Sequence, residues 1–439
     1  MDWQSVAQTL QASSLQVISD RLQVAKLSQD YFHFSPILQE QLGNCRGDLV
    51  VQARSEADVL TVAQLCVREK IPLTIRGAGT GNYGQCIPLR GGIVLDLSGL
   101  NRILRLEPGL ALVEAGVKMG TLERQSQTLG WELRIAPSTS RTATFGGFIG
   151  GGSVGAGSIN YGLISDAGNV RSLRLVTMTD PPQILQLEGE DLQGVLHGYG
   201  SNGIITQLEA PLAPMFPWAE SIIAFPDFKP AAEFAQALSL SSGIVKKQIA
   251  VHADPIPRYF SALQKYLPQG SSVAFTITSD WDRPALVSLI QKHGGTLTDY
   301  QSENGADCRG LVEFCWNHTT LLARAVDPTL TYLQVFYGDL ERVLRCHDQF
   351  GEEVMIHLEW LRVHGNPTPA GLPLVRYQSA ERLGEMIRLH QEAGAVVANP
   401  HAYTLEGGGT GPLNPAILEL KRRADPFNLL NPGKIEALL

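Results

Sequence analysis

Long apolar runs and an excess of basic residues are both missing from this sequence, and we expect no secretory leader. No apolar run approaches the roughly 20 residues that cross a bilayer, and 35 lysines and arginines face 43 aspartates and glutamates, for a net charge of −8. Nucleic acid is not an expected partner, because its binders neutralise phosphates with a basic surface. The opening residues Met1–Ser5 contain neither a basic nor an apolar stretch. We therefore expect a cytoplasmic globular protein, with peripheral contact to a membrane left open.

Cysteine is sparse, and its spacing excludes two further classes of protein. No Cys-x-x-Cys pair occurs in the 439 residues, which fits neither a zinc site nor a disulfide scaffold. We expect reduced thiols at Cys45, Cys66, Cys86, Cys308, Cys315 and Cys346. Apolar residues make up 44% of the chain and charged residues 18%. This composition predicts a large core and excludes disorder, collagen and coiled coil as overall descriptions.

Short strands and helices follow one another irregularly in the first half of the chain. A helical lead-in is predicted for about the first 45 residues, then a helix from Ser55 and another from Met119 to Leu129. Strands are predicted at 49–51, 72–76, 93–97, 111–114, 173–177 and 204–208. This order indicates an α+β fold rather than a regular βαβ alternation.

Three prolines, Pro211, Pro214 and Pro217, predict a domain boundary near residue 215. Beyond it, a strand followed by a helix that starts near a proline occurs twice, at 222–231 and 273–285. Neither half has a glycine loop, which suggests a cap or substrate domain. Glycine and proline return near the end of the chain. We therefore expect a cofactor domain over 1–215, a cap over 216–398, and a segment over 399–439 that returns to the first domain.

The densest glycine signal is Arg76-Gly-Ala-Gly-Thr-Gly-Asn-Tyr-Gly84, directly after a predicted strand. Glycines allow positive φ angles and let backbone N–H groups approach an anion, so such a loop can hold a diphosphate. Its register also matches the dinucleotide fingerprint, but a Rossmann fold needs a helix straight after the loop. Here another glycine pair and a strand follow, which argues against NAD.

A second glycine-rich cluster runs from Pro137 to Gly162. Such a cluster could serve only as a loose loop or as a place of tight backbone packing. Two glycine clusters on one domain, each bounded by strands, predict instead a shared and extended ligand. One loop would hold its diphosphate and the other would follow the rest of the molecule.

Together these motifs resemble the vanillyl-alcohol oxidase or PCMH-type flavoproteins, most nearly the branch of glycolate oxidase and D-lactate dehydrogenase. The resemblance covers residues 40–215 and the last 40, and rests on Ile75–Gly81, Pro137-Ser138, Gly146-Gly147, Tyr161-Gly162, Gly200–Gly203 and Asp425-Pro to Asn431-Pro-Gly-Lys434. It implies FAD between two α+β subdomains and an α+β cap over the isoalloxazine. It also implies oxidation of a 2-hydroxy acid by hydride transfer to the flavin.

The resemblance implies roles for individual residues toward FAD. The diphosphate would be held by Arg76, Gly77, Ala78, Gly79, Thr80, Gly81 and Asn82. The adenine-to-ribityl path would be lined by Pro137, Ser138, Gly146, Gly147 and Gly152, with a backbone contact from Ile205 and a closing turn at Asn431 and Lys434. Covalent members have a histidine where this sequence has Thr80, so we expect noncovalent FAD, with Cys86 as the alternative point of attachment.

The branch also carries two histidine-rich motifs that bind a divalent metal and the substrate, and both are incomplete here. The region of the first, 331–339, contains no histidine. In the second, His401 stands for the family's histidine but Pro400 replaces its glutamate. Because a metal site needs several converging ligands, we expect none.

His401 is the first candidate for the base that removes the substrate's hydroxyl proton, ahead of any other residue, because histidine titrates near neutral pH. Tyr403 and Glu406 follow it and could orient it. The other candidate is His357, which would share a face with Glu359 if the segment is extended. Each histidine could instead be a structural residue, and the segment at 357 a solvated edge strand. Candidate carboxylate clamps are Arg141, Arg362 and Arg376.

Three functions follow from the sequence. The first is an FAD-dependent 2-hydroxy-acid dehydrogenase or oxidase. The second is an FAD-binding subunit of a larger complex without its own turnover of hydroxy acids. The third is a flavoenzyme that acts on another alcohol, a sugar or an aldehyde, or that catalyses a non-redox flavin reaction. The expected partners are a small hydroxy acid and an electron-accepting protein or quinone, with dioxygen also open.

Overall fold

The structure, a computed structural model, describes residues 1–302, 310–409 and 411–438; Cys308 lies outside them. The elements of the first region are α1 (Trp3–Ala12), β1 (Gln16–Ile18), α2 (Arg21–Leu27), α3 (Pro36–Leu42), β2 (Leu49–Gln52), α4 (Glu56–Glu69), β3 (Leu73–Arg76) and β4 (Ile93–Asp96). They form a sheet of order β1-β2-β4-β3, in which β1 is antiparallel and the other strands are parallel.

The predicted start of α4 is confirmed in detail. The Ser55 hydroxyl accepts the amide of Asp58, and the Asp58 carboxylate accepts the amide of Ser55, which is a capping box. The predicted helical lead-in is correct for α1, α2 and α3, but it missed β1. That strand has three residues and depends on its ladder with β2.

A second sheet follows, built from antiparallel strands. Its region contains β5 (Ile103–Glu107), β6 (Leu110–Glu114), α5 (Met119–Gln127), β7 (Trp131–Leu133), α6 (Phe145–Gly151), α7 (Ser158–Tyr161), β8 (Ser172–Val176), β9 (Ile184–Glu188) and β10 (Ile204–Pro214). The strand order is β5-β6-β10-β8-β9, with β7 also paired to β10. The central strand β10 runs on to Pro214, beyond the predicted end at 208.

The largest sheet lies in the middle of the chain. Its region contains β11 (Trp218–Phe225), α8 (Phe228–Leu240), β12 (Lys246–His252), β13 (Ser272–Ser279), α9 (Arg283–Lys292), β14 (Thr296–Ser302), α10 (Asn317–Val326), β15 (Leu330–Tyr332), β16 (Gln334–Phe336), α11 (Leu340–Phe350), β17 (Val354–Met355), β18 (His357–Val363), β19 (Asn366–Gly371), β20 (Leu374–Arg376), α12 (Ala380–Glu392) and β21 (Val396–Ala398). Eight of these strands form one sheet of order β14-β11-β13-β12-β18-β19-β16-β21, and β15, β20 and β17 form a small one.

The eight-stranded sheet consists of two βαββαβ units placed edge to edge. The first unit is β11-α8-β12-β13-α9-β14, and the second is β16-α11-β18-β19-α12-β21. The two predicted strand-helix repeats are the two halves of the first unit. The second unit was missed because α11 and α12 begin at Asp339 and Ser379 caps rather than at prolines.

The two faces of this sheet pack differently. One face packs against α8, α9, α11 and α12 in the largest core cluster, which contains Phe234 and Trp360. The opposite face carries a second cluster with Phe260, Phe275 and Trp316, and Val154 of the second glycine cluster packs against it. That opposite face is therefore directed toward the glycine-rich region.

The end of the chain returns to the first sheet. After α13 (Leu405–Gly408) and α14 (Pro415–Ala424), the amide of Leu73 in β3 donates to the carbonyl of Leu429, and the amide of Asn431 donates to the carbonyl of Leu73. The three-part division at 215 and 398 stays a prediction. Among residues 1–302, 310–409 and 411–438, no helix is both long and apolar enough to span a bilayer.

Candidate functional site

The glycine loop after β3 offers a run of unbonded backbone donors. Gly79 and Gly84 have φ angles of 67° and 70°, which the loop's turns require and which side chains rarely adopt. The amide N–H groups of residues 78 to 82 have no acceptor within the described part of the chain. The side-chain amide nitrogen of Asn82 is buried and likewise lacks a partner there. Such donors fit an anion held by backbone amides.

Three glycine-containing segments meet at this loop. A Cβ atom on Gly77 would overlap the hydroxyl of Thr144, the residue that immediately precedes α6. A Cβ on Gly150 would lie 3.9 Å from the amide nitrogen of Gly200. The loop, the start and end of α6, and the turn at residue 200 are thus in close contact, and glycine permits the approach.

Two side-chain amides join these segments, that of Asn431, which the sequence predicted as part of the site, and that of Gln85, which it did not. Nε2 of Gln85 donates to the carbonyl of Gly151 at 2.9 Å. Nδ2 of Asn431 donates to the carbonyls of Gln85 at 2.8 Å and Tyr199 at 2.5 Å, and the amide of Tyr199 donates to Gly150. The buried Oδ1 of Asn431 has no partner among the described residues. A bound ligand would satisfy it, since buried polar atoms are rarely left unpaired.

The two cations predicted to hold the cofactor, Arg76 and Lys434, make hydrogen bonds within the protein. Lys434 is fully buried, and its ammonium donates to the carbonyl of Gly84 at 2.6 Å. Burial lowers the pKa of Lys434 to about 8, and Asp30 acts in the opposite direction. The guanidinium of Arg76 donates to the carbonyls of Gln29 and Ala78. Both side chains therefore donate to carbonyl groups: those of Ala78 and Gly84 belong to the loop, and that of Gln29 lies beside it.

The residues of the second glycine cluster that are predicted to line the cofactor path differ in how tightly the protein packs around them. Gly146 and Gly152 are needed for packing, because a Cβ would approach Ala115 to 2.6 Å at the first and overlap Phe148 at the second. Gly147 is open except for a neighbouring hydroxyl at 2.8 Å, while Ser138 is buried and Pro137 partly exposed.

At Ile205, β10 is paired with β8, but the ladder with β6 begins only at residue 207. A backbone contact from Ile205 to FAD stays a prediction.

His401 lies in the interior with both ring nitrogens occupied. Nε2 is 2.9 Å from the carbonyl of Tyr332, so it carries the proton, and Nδ1 accepts from the hydroxyl of Ser35 at 2.7 Å. Burial lowers the pKa of His401 to about 4. Its predicted companions make other contacts: the Glu406 carboxylate accepts the amide of residue 436, and the Tyr403 ring lies 5.3 Å from Nζ of Lys434.

His357 and Glu359 share one face of β18, as predicted, and they form a hydrogen-bonded pair. Nε2 of His357 lies 2.9 Å from Oε1 of Glu359, and both side chains are fully buried. Nδ1 of His357 has no partner within the described residues. The alternative of a solvated edge strand is wrong, because β18 lies between β12 and β19 in the middle of the sheet.

The Glu359 carboxylate is further held by β12 and by residues 310–320, the segment that covers this face. It accepts the amide of Trp316 at 2.8 Å and Nε2 of Gln248 at 2.6 Å. Burial raises the pKa of Glu359, while the bond from His357 opposes this. The same covering segment reaches the second glycine cluster through an ion pair of Glu313 with Arg141 at 2.6 Å. The pair of His357 and Glu359 thus lies on the sheet face that is directed toward the second glycine cluster.

The candidate carboxylate clamps have separate environments. Arg362 donates to the carbonyls of Ile159 and Gly365, and Arg376 donates to the carbonyl of Glu352. Arg141 is largely exposed at the junction described above. Within residues 1–302, 310–409 and 411–438, no group of three or more histidine, cysteine or carboxylate side chains is placed to hold a metal ion.

Comparisons with known proteins agree with this architecture. A family model described as an FAD binding domain matches residues 47–180. An uncharacterized oxidoreductase of Rhodococcoides fascians, ORF5 of a fasciation locus, is 34% identical over 89% of this chain and 94% of that protein. The glycolate oxidase subunit GlcD of Bacillus subtilis is 22% identical over 89% of both chains. A D-lactate dehydrogenase of Anaerostipes hadrus is 28% identical over 43% of this chain.

The chain belongs to the PCMH-type, or vanillyl-alcohol oxidase, family of FAD-binding flavoproteins, and FAD is its cofactor. The predicted α+β fold class and the resemblance to the branch of glycolate oxidase and D-lactate dehydrogenase are confirmed. A solved alkyldihydroxyacetonephosphate synthase has a TM-score of 0.73 at 16% identity, over 95% of this chain and 82% of that one, and supports the fold alone. The chain covers only 40% of the D-lactate dehydrogenase that it matches.

Proposed function

We propose that this chain is an FAD-dependent oxidoreductase that oxidises a small 2-hydroxy acid, with His357 as the base. FAD, held at the glycine loop after β3, would supply the acceptor for the hydride on the carbon that carries the hydroxyl group, and the hydroxyl proton would leave to His357. Support for this substrate class comes from the relatives named D-lactate dehydrogenase and glycolate oxidase subunit GlcD. The fit of the glycine loop to an anion supports the cofactor.

One observation carries the choice of base: His357 is bonded to a carboxylate at one ring nitrogen and unpartnered at the other within the described residues. Glu359 fixes the tautomer with the proton on Nε2, which leaves the lone pair of Nδ1 free to take a proton. The carboxylate also stabilises the imidazolium that results. His401 lacks this arrangement, because Ser35 already donates to its Nδ1. We propose that His401 and Tyr403 instead hold the C-terminal segment against the rest of the protein.

We propose further that FAD is held without a covalent bond. The hydroxyl of Thr80 cannot form the histidyl link of covalent relatives. Cys86 is a poor nucleophile here, because burial raises the pKa of its thiol to about 12. Its sulfur lies 4.0 Å from a carboxylate oxygen of Asp30 and 3.6 Å from the guanidinium of Arg76.

A second function, an FAD-binding subunit within a larger complex, is favoured by one observation. The face that carries His357 is covered by the segment from Gly310 to Thr320. Trp316 bonds Glu359, and Thr319 lies 3.3 Å from Nε2 of His252. An enzyme must open this cover to admit substrate, whereas a subunit that only carries electrons need not. An electron-accepting protein or quinone belongs to either function.

Anaerobic mixing of the purified holoprotein with a panel of 2-hydroxy acids separates these functions. A 2-hydroxy-acid dehydrogenase predicts that at least one acid bleaches the yellow flavin, with a rate that saturates with acid concentration. The matching 2-methyl-2-hydroxy acid is the control, since it has no hydrogen to transfer. Bleaching by dithionite but by no acid of the panel would favour the subunit or another substrate class.

A further inference from the structure

The segment Gln29–Phe32, here called the brace segment, lies against the glycine loop that follows β3. The amide of Tyr31 donates to the carbonyl of Gly81 at 2.7 Å. The carbonyl of Gln29 accepts Nη1 of Arg76 at 2.5 Å, and Nη2 of the same guanidinium donates to the carbonyl of Ala78 at 3.3 Å. Two carbonyls of the loop are thus held by the brace segment and by the arginine bound to it.

Holding these carbonyls fixes the direction of loop amides. A peptide unit is planar and trans, so its N–H points away from its C=O. When the carbonyls of Ala78 and Gly81 are held on one side, the N–H groups of Gly79 and Asn82 in the same peptide units are directed to the other side. These N–H groups are among the donors that have no acceptor within the described chain.

A buried charge cluster accompanies these contacts. The carboxylate of Asp30 accepts the amide of Phe32 at 2.9 Å, and its other oxygen lies 3.7 Å from where a Cβ on Gly81 would be. Arg76 and Lys434 both interact electrostatically with Asp30. Burial raises the pKa of Asp30 to about 6, against these opposing cations. One carboxylate thus balances two cations next to the loop.

We propose that the brace segment and Arg76 are positioning residues for FAD, and that the Arg76 guanidinium does not itself bind the phosphates. The brace segment orders the loop so that its amides meet the diphosphate, and Asp30 retains Arg76 and Lys434 by balancing their charge. The brace segment lies outside residues 47–180 matched by the family model. This inference concerns cofactor binding alone and is independent of the substrate.

Replacing Arg76 by lysine and by glutamine tests the proposal, with the dissociation constant of FAD measured by titration of full-length apoprotein. A lysine keeps the charge but cannot reach two carbonyls in a planar fork. If Arg76 acts by positioning, Arg76→Lys and Arg76→Gln weaken FAD binding alike, by about 10- to 100-fold, the range typical of lost hydrogen bonds to a charged group. If Arg76 binds the phosphates, Arg76→Lys stays near wild type and only Arg76→Gln loses affinity.

Asp30→Asn provides a second test that does not alter Arg76. Asparagine keeps an oxygen for the amide of Phe32 but removes the charge, so we expect about 10-fold weaker FAD binding. The control is Asp48→Asn, whose carboxylate accepts the amide of Gly92 at 2.7 Å in the same region. The control should change the melting temperature of the apoprotein without changing the FAD dissociation constant.

Two results would overturn the proposal. The first is near-normal FAD affinity in Arg76→Lys together with a loss in Arg76→Gln. The second is an unchanged dissociation constant in Asp30→Asn. If Arg76→Gln does not fold, Arg76→Lys and Asp30→Asn decide by themselves, because positioning requires both to weaken FAD binding.

Discussion

His252 and His357 lie opposite each other in the ladder that joins β12 to β18, and their rings stack with centroids 4.4 Å apart and planes 14° from parallel. This is the seam between the two βαββαβ units. Burial lowers the pKa of His252, and the neighbouring His357 lowers it further. His252 is therefore the less basic of the two rings, and Glu359 is the hydrogen-bond partner of His357. The seam places one carboxylate-bound imidazole in the centre of the sheet.

Gly81→Asp should lose FAD while the protein stays folded. A side chain at this position meets the flexible end of Gln85 rather than backbone, and its carboxylate repels the diphosphate at short range. FAD content of the purified protein and its melting temperature provide the measurement. Gly79→Asp is less informative, because a φ of 67° and an overlap with the Arg76 guanidinium strain the fold.

Gly384→Asp is the matched control for this experiment, since a Cβ at that helical position meets nothing within 4 Å. It should keep normal FAD content. A folded Gly81→Asp protein with normal FAD content would contradict the diphosphate role of the loop.

Acid precipitation should release intact FAD into the supernatant. Thr80 stands where covalent relatives have a linking histidine, and the Cys86 thiol is held protonated because burial raises its pKa. The absorbance of supernatant and pellet after precipitation provides the measurement. Yellow colour that stays in the denatured pellet would show a covalent bond and contradict this argument.

Chelators should leave flavin reduction by a hydroxy acid unchanged. Pro400 replaces the glutamate of the family's metal motif, and residues 331–339 contain no histidine. The rate of anaerobic bleaching is compared before and after dialysis against a chelator, with added zinc and manganese as controls. Loss of the rate on dialysis, with recovery on adding metal, would contradict the expected absence of a metal site.

His401→Gln should reduce the loss of folding stability at acid pH. In the unfolded chain this histidine becomes protonated as the pH falls below 6.5. In the folded chain burial lowers its pKa, so it becomes protonated only below about pH 4. Stability therefore falls as the pH drops through this window, by on the order of 3 kcal/mol for this group. Denaturant midpoints measured between pH 7 and 4 should fall less steeply in the variant (both proteins keep Asp30, so its contribution cancels). Parallel curves would contradict a buried, neutral His401.

Much of the fold follows from local sequence signals. Strands β2, β3 and β4 and helix α4 lie between glycine, proline and capping residues, and their predicted positions agree with the structure to within a residue or two. The second βαββαβ unit has no such punctuation at its helices. Its recognition depends on the pairing of β12 with β18, which joins residues more than 100 positions apart.

The candidate site also combines features that follow from local sequence patterns with contacts that depend on the folded chain. The shared face of His357 and Glu359 follows from strand alternation, and the glycine loop from its composition. The contacts of His401 with Ser35 and of Asn431 with Tyr199 join residues 366 and 232 positions apart. The contact of the brace segment with the loop is likewise absent from any local pattern. Only the folded chain brings these residues together.

The most direct test of the proposed chemistry is the anaerobic rate of flavin reduction in His357→Asn, measured with a hydroxy acid that bleaches the wild-type protein and compared with His401→Asn. Loss of a general base costs on the order of 10²- to 10⁴-fold in rate. We predict a decrease of that size in His357→Asn, with FAD content unchanged, and a rate near that of wild type in His401→Asn. A full rate in His357→Asn, or the decrease appearing in His401→Asn instead, would contradict the assignment of His357 as the base.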